Sequence, residues 1–243
     1  MVVTMIEQYQ NILSLESILS AFFSALTDHE EVAQSSLLQT LIGIYNQCPP
    51  PTVCSFALDD DSTANAINLL KERLKEQNPA CTKALNSPLT YLLDELICNI
   101  QQHAQVDKGY AYISYNKSTD SVDIVIADLG ITIYGSYVAA QKHLDKLGNS
   151  DAEALNLAQN GYSVKNLPNA ENRGYGISSN IKMVVNGLHG EFATLSGNAL
   201  MLHTANKRQI LALPPEIDFK GTMIMVTIPA SVPTDFNLYN YTC

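Results

Sequence analysis

The chain is poor in basic residues: it has 14 lysines and arginines against 24 acidic residues, a formal net charge of −10. This balance disfavours broad electrostatic binding to nucleic acid or to an anionic membrane, although a local basic cluster could still bind a small anion. The sequence also lacks an apolar run of the roughly 18 residues that cross a bilayer, and its N-terminus lacks the basic-then-apolar pattern of a signal peptide. The sequence therefore predicts a cytoplasmic protein.

The cysteines lack the spacing of a metal site. Five residues separate Cys48 from Cys54, too many for a short zinc knuckle, and the five cysteines in all are odd in number. We interpret them as reduced thiols. No internal repeat or low-complexity tract is visible, and a content of 46% hydrophobic and 16% charged residues is ordinary for a globular protein.

A proline-rich break, CPPPT at 48–52, divides the chain. Before it, two amphipathic helices are predicted, the second opened by Asp28 and Glu31 as a capping box. We interpret residues 1–50 as an antiparallel helical hairpin that docks on the rest of the chain or on a second copy, which would make a homodimer. The main domain is predicted over 51–230, followed by a tail at 231–243.

Within the main domain, helices and strands alternate in a pattern typical of a layered fold. TVCSFAL predicts a strand, DDDSTANAINLLKERLKEQ a helix, and Ser87 followed by Pro88 the start of a second helix. GYAYISYN and SVDIVIAD predict two strands joined by the turn KSTD. The pattern then weakens, and the long irregular stretch at about 131–173, with some short helical pieces, predicts a lid or binding loop.

The last third of the domain predicts one helix and several strands. NRGYGISSNIKMVVNGLHG reads as glycines that open a helix ending near Gly187, and strand-like runs follow in EFATLSG, ALMLHTA, QILALP and GTMIMVTIP. The order of these elements predicts an α/β (α+β) two-layer sandwich. Its sheet would be mixed and mostly antiparallel, with helices on one face.

A polar row lies on the second predicted helix, in YLLDELICNIQQHA. Glu95, Asn99 and His103 are spaced i, i+4 and i+8, so they line up along one side of a helix. An apolar stripe runs beside them, formed by Leu92, Leu93, Leu96, Ile97 and Ile100. The row therefore follows the margin of the core, where a pocket could lie.

Three further short motifs accompany this row: DLG at 128–130, RGYG at 173–176 and GT at 221–222. In order and spacing, the four motifs resemble the GHKL ATPase superfamily, which includes gyrase, heat-shock chaperones of the ninety-kilodalton class, histidine kinases and mismatch-repair ATPases. The layout is most similar to anti-sigma-factor serine kinases and related stand-alone ATP-binding proteins. The resemblance covers residues 52–230 and implies a Bergerat-type fold that binds ATP and Mg²⁺.

The resemblance implies roles for the helical row. Asn99 would supply its side-chain oxygen to Mg²⁺, an ion that prefers oxygen ligands and shares them with phosphates and water. Glu95 would orient or deprotonate the attacking nucleophile. For His103 two interpretations stay open, a phosphate contact and a packed structural histidine.

The resemblance also implies an adenine site. Asp128 would accept a hydrogen bond from the exocyclic amine, Gly130 would let the backbone approach the base, and Thr222 would reach the base through water. Thr132 stands where the D-x-G-x-G pattern of the family has its second glycine, and we expect it to stiffen the lid hinge and slow turnover. The alternative for Asp128 is a solvated acid in a turn that ends a strand.

The resemblance also implies that the glycine motif RGYG, at 173–176, binds phosphate. Gly174, Tyr175 and Gly176 would expose backbone N–H groups at a helix start, where the helix dipole favours anions. Arg173 and Lys165 would add positive charge, and Ser163 a hydroxyl. Lys165 could equally be a solvated loop residue.

Several functions are consistent with such a site. The leading hypothesis is a regulatory protein that transfers the γ-phosphate of ATP to a partner protein or hydrolyses ATP to switch partner binding. The alternative is a nucleotide-gated interaction module with little catalysis, which Thr132 favours and Glu95 disfavours; a vestigial pocket is a third possibility. A self-contained histidine kinase is disfavoured, because His29 is the one candidate acceptor in the first two helices and Gln34 stands where proline is usual.

Overall fold

The computed structural model describes residues 53–164, 176–214 and 218–241. The helical hairpin predicted for residues 1–50 lies outside the described residues. The described residues from Cys54 onward form one compact unit of mixed α/β structure.

The sheet has seven strands in the order β1-β2-β3-β7-β4-β5-β6, and every described pair of neighbours is antiparallel. The strands are β1 Cys54–Ala57, β2 Lys108–Asn116, β3 Ser121–Asp128, β4 Glu191–Gly197, β5 Ala199–His203, β6 Arg208–Ala212 and β7 Phe219–Pro229. The long strand β7 lies between β3 and β4 and pairs with both of them. It therefore joins the first half of the sheet to the second. The predicted positions of these strands are confirmed, whereas the expectation of a mixed sheet is wrong for the described strands, because all of their pairs are antiparallel.

Six α-helices are described, and one of them continues with a different winding. They are α1 Asp60–Gln77, α2 Pro79–His103, α3 Ile133–Ala140, α4 Leu144–Leu147, α5 Asp151–Gln159 and α6 Ile177–Ile181. The last runs on as a π-helical segment, Lys182–Gly187, so the predicted helix end near Gly187 is confirmed. No described helix combines the length and apolar composition that crossing a membrane requires.

One hydrophobic core joins the sheet to α1 and α2. Leu70 of α1 and Leu92 of α2 are fully buried and share this core with Ile124 of β3. All eight residues of β3 are buried. Removing a leucine side chain from water is worth about 1.5–3 kcal/mol, so this core fixes α2 on the sheet.

The start of α2 corrects the sequence prediction. The helix does not begin at Ser87 and Pro88 but at Pro79, and its N-cap Asn78 accepts a hydrogen bond from the backbone N–H of Cys81 at 3.0 Å. Pro88 lies inside the helix and is buried. Asn78 and Pro79 supply the same cap-and-proline start signal earlier in the chain. The apolar stripe continues past Pro88, so the helical hydrogen bond that this proline removes does not end the helix.

The region predicted as a long irregular lid is mostly helical as far as it is described. We call residues 133–164 the helical cap; it contains α3, α4 and α5 and a small core of its own, formed by Tyr137, Leu147, Ala154 and Leu157. Both ends of α5 are tied to the sheet. Asp151 accepts a hydrogen bond from the backbone N–H of Asn198 at 3.2 Å, and Gln159 lies 2.8 Å from the ring Nε2 of His203.

Candidate functional site

A pocket opens between α2, the end of the sheet and the helical cap. It encloses about 850 Å³, a volume that includes the open solvent at its mouth. Of the predicted site residues, the pocket brings together six: Asn99, His103, Asp128, Ser163, Gly176 and Thr222. Each of the four motifs contributes at least one of these residues, and Ser163 comes from the predicted lid.

Asp128 lies at the end of β3 and lines the pocket, yet only 4% of it is exposed. Its carboxylate accepts a hydrogen bond from the backbone N–H of Gly130 at 2.9 Å. Burial raises the pKa of Asp128 to about 7, although hydrogen bonds from the backbone of Gly130 and Thr222 act in the opposite direction. The alternative of a solvated acid in a turn is therefore wrong.

Gly130 is required by a close approach of backbone to backbone. A Cβ atom at this position would lie 1.9 Å from the carbonyl oxygen of Ala104, which follows α2. The next residue, Ile131, donates its N–H to the same oxygen at 2.9 Å. Gly130 is not among the pocket-lining residues; it fixes the loop after Asp128 against the end of α2.

Thr132 has a structural role that the family resemblance did not imply. Its backbone is extended, with φ −69° and ψ 171°, a conformation open to any residue. Its hydroxyl accepts a hydrogen bond from the N–H of Gly135 at 3.1 Å and so caps the start of α3.

Thr222 lies between two polar neighbours on the sheet. In register it pairs with Asp128 of β3 on one side and Ser196 of β4 on the other. The hydroxyls of Ser196 and Thr222 are 3.1 Å apart, and the Ser196 hydroxyl also accepts a hydrogen bond from the N–H of Ile133 at 2.9 Å. Ser196, which the sequence did not single out, thus joins the first residue of the helical cap to the floor of the pocket.

The row on α2 is divided by the pocket. Asn99 and His103 line it, and Glu95, one turn earlier, does not. Within the described residues, the Glu95 Oε2 and Asn99 Nδ2 atoms are buried and have no hydrogen-bond partner. Because an unsatisfied buried polar atom costs about 1–3 kcal/mol, these two atoms mark a place where a ligand, ion or water would be bound favourably.

Gly176 borders the pocket immediately before α6. Its φ of +149° favours glycine, and no atom of the residues that the structure describes lies within 4 Å of where a Cβ would be. Ile177 and Ser178 at the start of α6 also line the pocket. The other members of the predicted phosphate site, Lys165, Arg173, Gly174 and Tyr175, lie outside the described residues.

The wall opposite α2 comes from the helical cap. Ser136 and Tyr137 of α3, Ala158 of α5 and residues 161–164 contribute to it. The hydroxyl of Tyr137 donates a hydrogen bond to the carbonyl oxygen of Tyr162, so the two tyrosines are held together. Sequence reasoning placed a lid here but identified neither tyrosine.

No group of three or more histidine, cysteine, aspartate or glutamate side chains that could hold a metal ion occurs among the described residues. A metal bound in this part of the chain would need ligands from another source, such as amide oxygens, water or a bound phosphate.

Comparison with protein-family models and with curated protein sequences gave no match for this chain. The features that bear on the function of this chain are therefore the pocket and the four sequence motifs that meet in it.

Proposed function

We propose that the pocket binds ATP together with Mg²⁺, in a GHKL-class domain with the Bergerat-type two-layer fold. The observation that carries this proposal is Asp128, a buried carboxyl at the floor of a pocket that residues from all four motifs line. A buried acceptor of this kind would select a base with an exocyclic amine, because a ligand without that donor leaves the acceptor unpaired.

The walls of the pocket suit a flat base. Ile126 and Ile224, on neighbouring strands, line the pocket, and so do Leu96 and Ile100 of α2. Most ligand pockets combine such apolar surfaces with a few polar groups that fix orientation. Here the polar groups at the floor are Asp128 and Thr222, next to each other in register.

The α2 row supports the phosphate and magnesium half of the proposal. Asn99 lines the pocket and carries an unpartnered buried amide atom, and a half-turn of the amide would present its oxygen instead. Mg²⁺ commonly has one or two protein ligands and completes its shell with phosphates and water, so a single asparagine fits. The ion would neutralise charge on the phosphates, and Asn99 would hold it.

Glu95 supports a catalytic version of the proposal. Its buried, unpartnered Oε2 lies one helical turn from Asn99. In a kinase reaction, Glu95 would orient a hydroxyl or imidazole of a partner protein toward the γ-phosphate; in hydrolysis it would orient water. We propose the regulatory role, acting on a partner protein, that stand-alone members of this class have.

A second candidate function is a nucleotide-gated interaction module with little catalysis. The observation that favours it is the position of Glu95, which is outside the set of pocket-lining residues while Asn99 and His103 are inside it. If Glu95 stays out of reach in the nucleotide complex, ATP would bind without being cleaved rapidly.

The test is calorimetric titration of ATP, with and without Mg²⁺, on wild type, Asn99→Ala and Asp128→Asn. Gln102→Ala is the matched control, because Gln102 is an exposed residue of the same helix. We expect Mg²⁺-dependent binding that Asn99→Ala weakens and that Asp128→Asn weakens roughly 10- to 100-fold, the value of a hydrogen bond to a charged group. Gln102→Ala should bind as wild type does.

A folded wild type that binds no ATP would show the proposal to be wrong. Binding that survives Asp128→Asn unchanged would show that the base does not contact this carboxyl. The two candidate functions separate in a single-turnover assay with labelled ATP, since only the enzyme transfers or releases the γ-phosphate, and Glu95→Gln should abolish that transfer.

A further inference from the structure

His143 lies between α3 and α4 and contacts both Tyr137 of α3 and the segment after α5, at Tyr162 and Ser163. Its ring meets those of Tyr137 and Tyr162 edge to face, with centroids 6.1 and 5.2 Å away. Its Nε2 atom lies 3.2 Å from the carbonyl oxygen of Ser163. Tyr137, Tyr162 and Ser163 all line the pocket, so His143 contacts the pocket wall from behind.

The direction of the hydrogen bond follows from its acceptor. A carbonyl oxygen can only accept, so Nε2 of His143 must carry a proton. His143 holds the left-handed backbone conformation, with φ 55°, at the N-cap position of α4, and its side chain makes no capping bond to that helix. The ring is therefore not used for local capping but reaches 20 residues along the chain to the segment of Ser163.

Other contacts converge on the same segment. The ammonium group of Lys146 lies 4.5 Å from the centroid of the Tyr162 ring, and the Tyr137 hydroxyl donates to the Tyr162 carbonyl. Residues 162–164 are described as neither helix nor strand. These side-chain contacts from α3 and α4 consequently supply order that regular secondary structure does not.

We infer that His143 is a positioning residue for the pocket: the N–H it donates to Ser163 holds the Tyr162–Ser163 wall where a nucleotide would contact it. This inference rests on the proposed function for its effect on binding. The positioning of the wall itself can be measured without nucleotide.

The test compares His143→Phe, which keeps an aromatic ring but removes the donor, with His143→Gln, whose amide can donate to the same carbonyl. His189→Phe is the matched control, since His189 has φ 57°, is exposed and does not line the pocket. Two quantities are measured on the full chain: amide hydrogen exchange in a peptide spanning 158–164 without nucleotide, and the affinity for MgATP.

We expect His143→Phe to speed exchange at 161–164 and to weaken MgATP binding about three- to tenfold, the worth of one neutral hydrogen bond. His143→Gln should recover most of both effects, and His189→Phe should change neither. Wild-type exchange in His143→Phe, or a His143→Gln variant as impaired as His143→Phe, would overturn the inference. If wild type binds no MgATP while His143→Phe still speeds exchange, the proposed function is wrong and the positioning of the wall by His143 is supported.

Discussion

At the scale of single residues, Asp128 is held at a cost to stability. The ordinary pKa of an aspartate is near 4, and burial raises that of Asp128 to about 7. Near pH 7 and above, the folded chain must keep a carboxylate in a buried site with few hydrogen-bond donors. Residues that lower stability in this way concentrate at functional sites, because the charge is kept for what it binds.

We therefore expect Asp128→Asn to stabilise the chain while it weakens nucleotide binding. An unfolded aspartate ionises near pH 4 and the folded Asp128 near 7, so stability falls as pH rises between these values. Asparagine avoids this loss and can still accept from the N–H of Gly130. In urea unfolding without nucleotide, the variant should gain roughly 1–4 kcal/mol at pH 8, and the gain should shrink as pH falls toward 4.

Asp123→Asn is the control for that experiment. Asp123 lies on the same strand and is 6% exposed, its pKa is raised to about 6 by burial, and it is not a pocket residue. Its oxygen accepts from the Thr227 hydroxyl at 3.0 Å, which an asparagine oxygen can also do. This variant should also gain stability but keep its affinity for ATP. A less stable Asp128→Asn at pH 8 would contradict the argument.

At the scale of elements, the sequence predicted best where one pattern repeats over many residues. The strands β2, β3 and β7 and the helix α1 were all located, because their apolar residues repeat at strand or helix spacing. The start of α2 was misplaced because two cap-and-proline signals compete, Asn78–Pro79 and Ser87–Pro88, and only packing decides between them. Short helical pieces were predicted within the lid, but the bounds of α3, α4 and α5 were not, because such short helices depend on contacts with each other and with the sheet.

Thr132 allows an element-scale prediction about the helical cap. We expect Thr132→Ala to lower the free energy of unfolding by about 1 kcal/mol, because α3 loses its N-cap acceptor, whereas Thr132→Gly should cost only a few tenths. Neither should change the affinity for ATP by more than about twofold, since Thr132 does not line the pocket. Chemical denaturation and calorimetry measure both quantities. If Thr132→Gly instead raises turnover while stability is unchanged, the sequence-based expectation of a stiffened hinge is correct.

At the scale of the whole molecule, the sequence predicted the residues that line the pocket better than it predicted the contacts that hold them in place. Asn99, Asp128 and Thr222 were identified from short motifs, and the pocket contains all three. Ser196 and His143 carry no motif; they matter because strand order and the fold of the helical cap place them behind pocket residues. These contacts join residues that are far apart in the chain, so no local sequence pattern predicts them, and only the folded structure shows them.

The net charge and the buried acids together determine how stability depends on pH. Burial raises the pKa of Asp123 and Asp128, and each of these two carboxyls makes the fold less stable as pH rises. A net charge of −10 acts in the same direction through self-repulsion. His203 opposes them, since burial lowers its pKa and its contribution to stability is lost as pH falls below 6.5.

We therefore expect the chain without nucleotide to be more stable at pH 5.5 than at pH 8, and ATP to change this balance. If ATP pairs with the ionised Asp128, the gain in unfolding free energy at saturating MgATP should be larger at pH 8 than at pH 5.5. Urea unfolding at both pH values, with and without MgATP, measures this difference, and Asp128→Asn should remove it. An equal gain at both pH values in wild type would mean that binding does not depend on the charge of Asp128, and the base would then have to be recognised by other groups in the pocket.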